Sequence, residues 1–286
     1  MEEICHSPKL ASDLTWDAYH YLGVDAAIIF SDIAIPLESL GYDVKYVENK
    51  GPVPVKTSEG NNKVESASAI SIKQFSTEHP DVPLIGFVGG PLTLASYVIG
   101  KGPDIKLSQS KKLLWNEDYD FMNLLEDLTK LLTMEIREQI RAGATAIQIF
   151  DSWLGNLDPE SVDFILTHYV KKLTDAAREE KSKSIYFSTE TSGMIEELTH
   201  AGSDFLSLDW KVSLNHVFEN FPEMGFQGNL DPLLLESNPE KALERSRRII
   251  KSMKDCKRYI FNLGHGVLPG TDENALREIT EKLRGE

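Results

Sequence analysis

Cysteine is scarce. Cys5 and Cys256 are the only two among 286 residues, too few for a disulfide framework or a multi-cysteine zinc site, so a reducing cytoplasm is the expected setting. Basic charge is also short: 30 lysines and arginines face 45 aspartates and glutamates, a net charge of −15. With a pI near 5.0, the chain is not expected to bind nucleic acid or an anionic membrane, both of which need a basic face. No apolar run is long enough to span a bilayer, and the chain opens on the acidic Met1-Glu2-Glu3 rather than on a signal peptide. The remaining composition, 41% hydrophobic and 26% charged, is that of a globular protein. α/β barrels often reach this length as a single domain, which is the expectation for residues 1–286.

What is present is a regular alternation. Short apolar runs occur at Ala26-Ala27-Ile28-Ile29-Phe30, Leu84-Ile85-Gly86-Phe87-Val88 and Ala146-Ile147-Gln148-Ile149-Phe150. They continue at Ser184-Ile185-Tyr186-Phe187, Phe205-Leu206-Ser207-Leu208, Gly225-Phe226-Gln227-Gly228 and Arg258-Tyr259-Ile260-Phe261-Asn262. Most are rich in β-branched or aromatic residues, as strands buried on both faces of a parallel sheet should be. Between them, helical spacing is clearest over 119–141, where Phe121, Leu125, Leu128, Leu132 and Ile136 share a face and Gly143 ends the run. Further helices are predicted near 12–22, 159–177, 192–201, 240–253 and 272–283.

Strand and helix in unbroken succession predict an α/β fold, either a β/α barrel or a doubly wound sheet. Polar residues follow almost every strand: Asp32, Gly89-Gly90, Asp151-Ser152, Thr189-Glu190, Asp209-Trp210, Asn229 with Asp231, and His265. A barrel with its active site on the C-terminal rim places them there, whereas a doubly wound sheet gathers them at one switch point. The expected fold is therefore a TIM-like (β/α)8 barrel in which only seven strands are evident. The first helix precedes the first visible strand, as though the first β/α unit were missing. The glycine- and charge-rich stretch 41–63 is read as a small hairpin over the rim.

Five segments carry a resemblance. Phe30-Ser31-Asp32-Ile33, the run Gly86-Phe87-Val88-Gly89-Gly90-Pro91-Leu92-Thr93-Leu94-Ala95-Ser96-Tyr97 and Gln148-Ile149-Phe150-Asp151-Ser152-Trp153 are three of them. Gln227-Gly228-Asn229-Leu230-Asp231-Pro232 and Phe261-Asn262-Leu263-Gly264-His265-Gly266-Val267-Leu268-Pro269 are the others. In order and spacing they resemble the uroporphyrinogen decarboxylase family over essentially the whole chain. The resemblance implies a carboxy-lyase of heme biosynthesis that converts uroporphyrinogen to coproporphyrinogen. It implies no metal or organic cofactor, because a protonated pyrrole accepts the electrons that departing CO2 leaves behind. It also implies a cytoplasmic homodimer with facing clefts.

By the same resemblance, Asp32 is the carboxylate at the centre of the macrocycle, accepting pyrrole N–H groups through several lone pairs. From position alone it could equally cap the following helix. Tyr97 matches a tyrosine near the reacting acetate; spacing alone would put its hydroxyl at a helix surface. Ser152 and His265 match residues that bind substrate carboxylates, and Phe30 is expected to supply an apolar wall. Asp151, Asp209, Asn229 and Asp231 are read as structural ties. Gly86, Gly89 and Gly90 lack the spacing of a phosphate loop and are expected to pack a strand end closely against the cavity.

The resemblance fails at the front, where the family carries a first strand with carboxylate-gripping arginines. An additional N-terminal segment is therefore expected in the complete protein. Uroporphyrinogen bears eight carboxylates, and the cations visible for them are scattered: Lys56, Lys101, Lys211 and Arg258. Two other functions stay open at this point. One is a zinc-dependent, corrinoid-linked methyltransferase, which needs thiolates near the last strands, where no cysteine follows Cys256. The other is a non-catalytic porphyrin-binding relative.

Overall fold

Each of the seven apolar runs becomes a strand in the computed structural model, which describes residues 1–48, 50–57 and 66–284. In chain order the strands are β1 (Ala27–Ile28), β2 (Tyr42–Val47), β3 (Gly51–Lys56), β4 (Leu84–Gly89), β5 (Ala146–Phe150), β6 (Lys183–Phe187), β7 (Phe205–Ser207), β8 (Gly225–Leu230) and β9 (Tyr259–Leu263). Seven of them form one sheet in the order β1-β4-β5-β6-β7-β8-β9, with every neighbouring pair parallel. β2 and β3 make a separate antiparallel hairpin, as expected for the 41–63 stretch; residues 49 and 58–63 of it lie outside the described residues.

The sheet is curled, and one hydrogen bond measures the curl. Gln227 Nε2 on β8 donates to Gln148 Oε1 on β5 at 3.2 Å, although two strands lie between them. Three interstrand spacings in a flat sheet would separate those strands by roughly 14 Å. The two glutamines therefore meet inside the curl. In a parallel sheet, register partners share a face and alternate residues change face. Gln148 is in register with Phe87, and Phe150 with Phe187, so Phe87, Phe150, Ile185 and Phe187 also point inward. On the edge strands, Ile28 (partner of Ile85) and Ile260 (partner of Gln227) do the same.

These two inward side chains are exposed, Ile28 by 43% and Ile260 by 36%. The reason is that β1 and β9 are the two edges of the sheet, and no pairing joins them among the described residues. The fold is a seven-stranded, curled half-barrel of TIM type, with the seven strands that the sequence made evident. Helices bridge the edges on the outside. Tyr21, in the Pro8–Leu22 helix, donates to Asn274 Oδ1 at 3.0 Å, and Arg277 of the Glu273–Arg284 helix stacks on the Tyr21 ring.

The outer layer buries the amphipathic faces. The Tyr119–Ala142 helix starts where Asp118 Oδ1 accepts the Phe121 N–H at 3.0 Å and ends at Gly143, with φ at +126°. Phe121, Leu125, Leu128, Leu132 and Ile136 are almost wholly buried, each contributing roughly 2 kcal/mol of transfer free energy. The 159–177 helix is interrupted, running as Pro159–Ile165, a π-helical turn Leu166–Val170, then Lys171–Glu179. The helix predicted over 192–201 is shorter, Ile195–Thr199, because Thr191–Met194 closes a turn of its own through Met194 N–H to Thr191 O.

Candidate active site

Asp32 stands beyond the C-terminal end of β1, four residues after the inward-facing Ile28. Its Oδ1 accepts the Ala34 N–H at 2.8 Å, so the capping role that position alone allowed is partly real. That bond occupies one oxygen. The Tyr46 hydroxyl, carried on β2, stands close enough to the same carboxylate to lower its pKa, and Cys5 Sγ lies 3.8 Å from that hydroxyl. Burial raises the Asp32 pKa above the ordinary aspartate range, while the Ala34 N–H and Tyr46 pull it back. No lysine or arginine among the described residues forms an ion pair with it.

Tyr97 lies near enough for the Asp32 charge to act on it. Burial first and that charge second push its phenol pKa up to about 12, so the ring is a neutral hydroxyl donor at any ordinary pH. It sits on the Pro91–Gly100 helix and is only 9% exposed, against the surface position that helical spacing alone allows. Its ring packs 5.0 Å from that of Trp153, the residue that follows Ser152 in the chain. Neither the Tyr97 hydroxyl nor the Ser152 hydroxyl bonds to another described residue, so both are available to a ligand.

His265 follows β9 and is exposed. Its ring stands 5.8 Å from Phe187, which is edge-on to Phe150, which is edge-on to Phe87. This aromatic line crosses the inner face of three adjacent strands and ends at the histidine. Phe30, two residues past β1, is 39% exposed, and its N–H donates to Thr15 Oγ1 at 3.0 Å. The structure thus sets Tyr97 within reach of the Asp32 charge and against Trp153, and His265 against the inner face through Phe187.

The residues read as ties behave as ties. Asp151 is fully buried and points outward, taking the Thr93 Oγ1 proton at 2.5 Å and the Tyr186 hydroxyl at 2.9 Å. Asp209 accepts the N–H groups of Glu190 and Lys211. Asn229 Nδ2 holds the carbonyls of Asp209 and Val212, each at 2.7 Å, and Asp231 accepts from Leu233 N–H. The glycines need a correction. A Cβ on Gly86 would strike Gln139 of the helix layer, and one on Gly90 would strike the Asp151 carboxyl. Gly86 and Gly90 thus pack closely against the layer behind the sheet rather than the cavity, while Gly89, in register with the inward Phe150, packs near Leu94 and Ile33.

Two of the scattered cations are also corrected. Arg258 precedes β9 at the opposite end of the sheet, where it bonds the carbonyls of Glu223 and Asp204. Lys211 Nζ is paired with Glu190 at 2.7 Å. Tyr46 was not singled out by sequence reasoning. The hairpin was legible, but no local pattern says which of its side chains reaches a residue fourteen positions earlier. Among the described residues, no three histidines, cysteines or acids converge where they could hold a metal ion. Cys256 and His265 flank β9 at opposite ends.

A curled parallel sheet wrapped in helices, with polar side chains on its C-terminal rim, defines an enzyme of the TIM-barrel class. The uroporphyrinogen decarboxylase (URO-D) family model matches residues 1–285, and the chain belongs to that family. Curated relatives named uroporphyrinogen decarboxylase include one from Picrophilus torridus, 38% identical over 98% of this chain and 86% of its own. Another, from Thermodesulfovibrio yellowstonii, is 34% identical over 97% and 84%. Among solved structures, a methyltransferase from Methanosarcina mazei superposes with a TM-score of 0.80 at 18% identity, covering 99% of this chain and 87% of its own. A B12-independent methionine synthase from Shewanella sp. W3-18-1 gives 0.69 at 14%, covering 100% and 90%. At such identities these two show the shared fold alone.

Proposed function

We propose that this chain decarboxylates uroporphyrinogen, removing its four acetate carboxyls to leave the methyl groups of coproporphyrinogen. The reading rests on Asp32: a half-buried carboxylate just beyond the end of β1, held by one backbone N–H, flanked by the Tyr46 phenol, and in no ion pair with a lysine or arginine among the described residues. Such a group suits a ring of N–H donors. The pyrrole N–H groups of a folded macrocycle can converge on its remaining lone pairs, and charge-assisted bonds of this kind are about twice as strong as neutral ones.

The chemistry needs an electron sink. Protonating a pyrrole carbon next to the acetate-bearing position gives a ring cation. The bond from methylene to carboxylate then breaks, CO2 leaves, and its electron pair neutralises the ring. A proton added to the methylene carbon, with loss of the first proton, gives the methyl group and consumes one proton per CO2. Asp32 stabilises the cation electrostatically in a partly dehydrated site. Tyr97 and Ser152 offer hydroxyl donors to the carboxylates, His265 offers a ring nitrogen, and Phe30 walls the macrocycle. No metal or organic cofactor enters this scheme. The enzyme is read as one domain over 1–286, working in the cytoplasm as a homodimer. Both thiols are free, in keeping with a reducing compartment, and a solution mass of twice 32.1 kDa tests the dimer.

The decisive experiment is anaerobic consumption of uroporphyrinogen by the protein and by Asp32→Ala. The native protein should release CO2 and accumulate coproporphyrinogen; the variant should fall by about 100-fold or more, as when a main electrostatic stabiliser is removed. An active Asp32→Ala protein would remove the basis of the proposal.

A further inference from the structure

A second cavity is lined by none of Asp32, Tyr97, Ser152 or His265. It measures about 690 Å3 and opens between the Leu214–Asn220 and Pro239–Ser252 helices, within the size range of small-molecule sites. Its wall is apolar at Trp210, Leu214 and Ile249, and its rim is cationic at Lys211, Arg245 and Arg248. The acid lining it is Asp231, one of whose oxygens already caps Leu233. Lys211 is paired with Glu190 and Arg248 lies 3.6 Å from Glu244. Arg245 has no partner among the described residues.

This groove lies against the basic part of an acidic molecule. The Pro239–Ser252 helix holds five lysines and arginines against two acids, in a chain whose net charge is −15. A ligand bearing eight carboxylates is repelled by such a protein as a whole and drawn to its local positive field. The groove also adjoins the barrel mouth. The loop after β7 forms its wall through Trp210 and Val212. The same loop is clamped to β8 by Asn229, and the Trp210 backbone packs on Gly264: a Cβ there would lie 2.7 Å from Trp210 N. Gly264 immediately precedes His265.

We propose that this groove is a second, outer site for tetrapyrrole polycarboxylates, where uroporphyrinogen is captured beside the mouth before it enters. The inference rests on the reading of the chain as a uroporphyrinogen decarboxylase. An aromatic and aliphatic wall matches the flat macrocycle, and paired arginines match carboxylates through bidentate bonds that lysine cannot make. Arg245 and Arg248 project from one helix, Pro239–Ser252, and Lys211 from the loop after β7.

Calorimetric titration with uroporphyrin, the stable oxidised octacarboxylate, tests the proposal directly. Two equivalents should bind per chain, with quenching of a tryptophan signal that Trp210→Phe reduces. Arg245→Glu/Arg248→Glu should bind one equivalent, and its kcat/KM for uroporphyrinogen at low ionic strength should fall about tenfold, with a flatter salt dependence. Unchanged melting of the double variant keeps a folding defect out of the comparison. A single equivalent in both proteins overturns the outer site, as does displacement of the second equivalent by equimolar inorganic pyrophosphate, which would make it a general anion site. If the native protein fails to consume uroporphyrinogen, the functional reading fails instead, whatever the stoichiometry.

Discussion

Tyr46 stands over Asp32. The phenol comes from the hairpin, the carboxylate from the end of β1, and the thiol of Cys5 lies 3.8 Å behind the phenol. The donor stabilises the ionised carboxylate, in opposition to the burial that disfavours it. Burial also pushes the Tyr46 phenol far above its usual pKa, so it remains a donor.

This relationship sets a pH dependence. If ionised Asp32 is required, kcat/KM falls as pH drops through the Asp32 pKa, which burial places above the ordinary aspartate range. Tyr46→Phe removes an interaction that lowers that pKa, so the acidic limb should move to higher pH while the plateau persists. A pH–rate profile of the two proteins checks this; an unmoved limb means Tyr46 does not act through Asp32.

Tyr97 and Ser152 should separate in their kinetics. The Tyr97 hydroxyl is a buried, neutral donor near Asp32, and its removal in Tyr97→Phe is expected to lower kcat about tenfold or more. Ser152→Ala, losing a carboxylate contact made before and during reaction alike, should chiefly raise KM. Steady-state kinetics under anaerobic conditions distinguish the two.

Asp151 carries stability rather than chemistry. Asp151→Ala strands the Tyr186 hydroxyl and the Thr93 hydroxyl in the layer behind the sheet, at a cost of about 3 kcal/mol. Denaturant melts should show that loss. A variant as stable as the native protein but inactive would transfer Asp151 to the catalytic group.

Glu135 gives the opposite sign. It is 6% exposed, receives bonds from Ser66 and Gln139, and burial with the nearby Glu138 charge raises its pKa. The folded state therefore holds its proton more tightly than the unfolded state, and this residue destabilises the fold as pH rises from the unfolded pKa through the folded one. Glu135→Gln should raise stability by about 1 kcal/mol at neutral pH, with the gain disappearing in acid below the unfolded pKa. Melts at both ends of that range decide it.

Legibility differed by element. The seven strands were readable because each is a short apolar run that no amphipathic helix could use. The Tyr119–Ala142 helix was readable because its apolar positions recur at 3.6 residues between an aspartate cap and a glycine stop. The Ala67–Glu78 helix was missed: its buried face includes Ser68 and Ser71, so its polarity does not alternate. Asp32, Tyr97, Ser152 and His265 were singled out through motifs and strand ends. Tyr46 and the Arg245–Arg248 groove were not, since each depends on separate elements brought together.

By itself, the sequence determined the parallel β/α order, the family and the strand ends that carry polar side chains, because hydrophobic periodicity and short motifs are local properties of the chain. Tertiary structure alone decided that the sheet curls until Gln148 meets Gln227, that β1 and β9 face each other unpaired, and that Tyr46 reaches Asp32. Those outcomes are set by sheet twist and by packing between distant segments, whose energies no single stretch of residues contains.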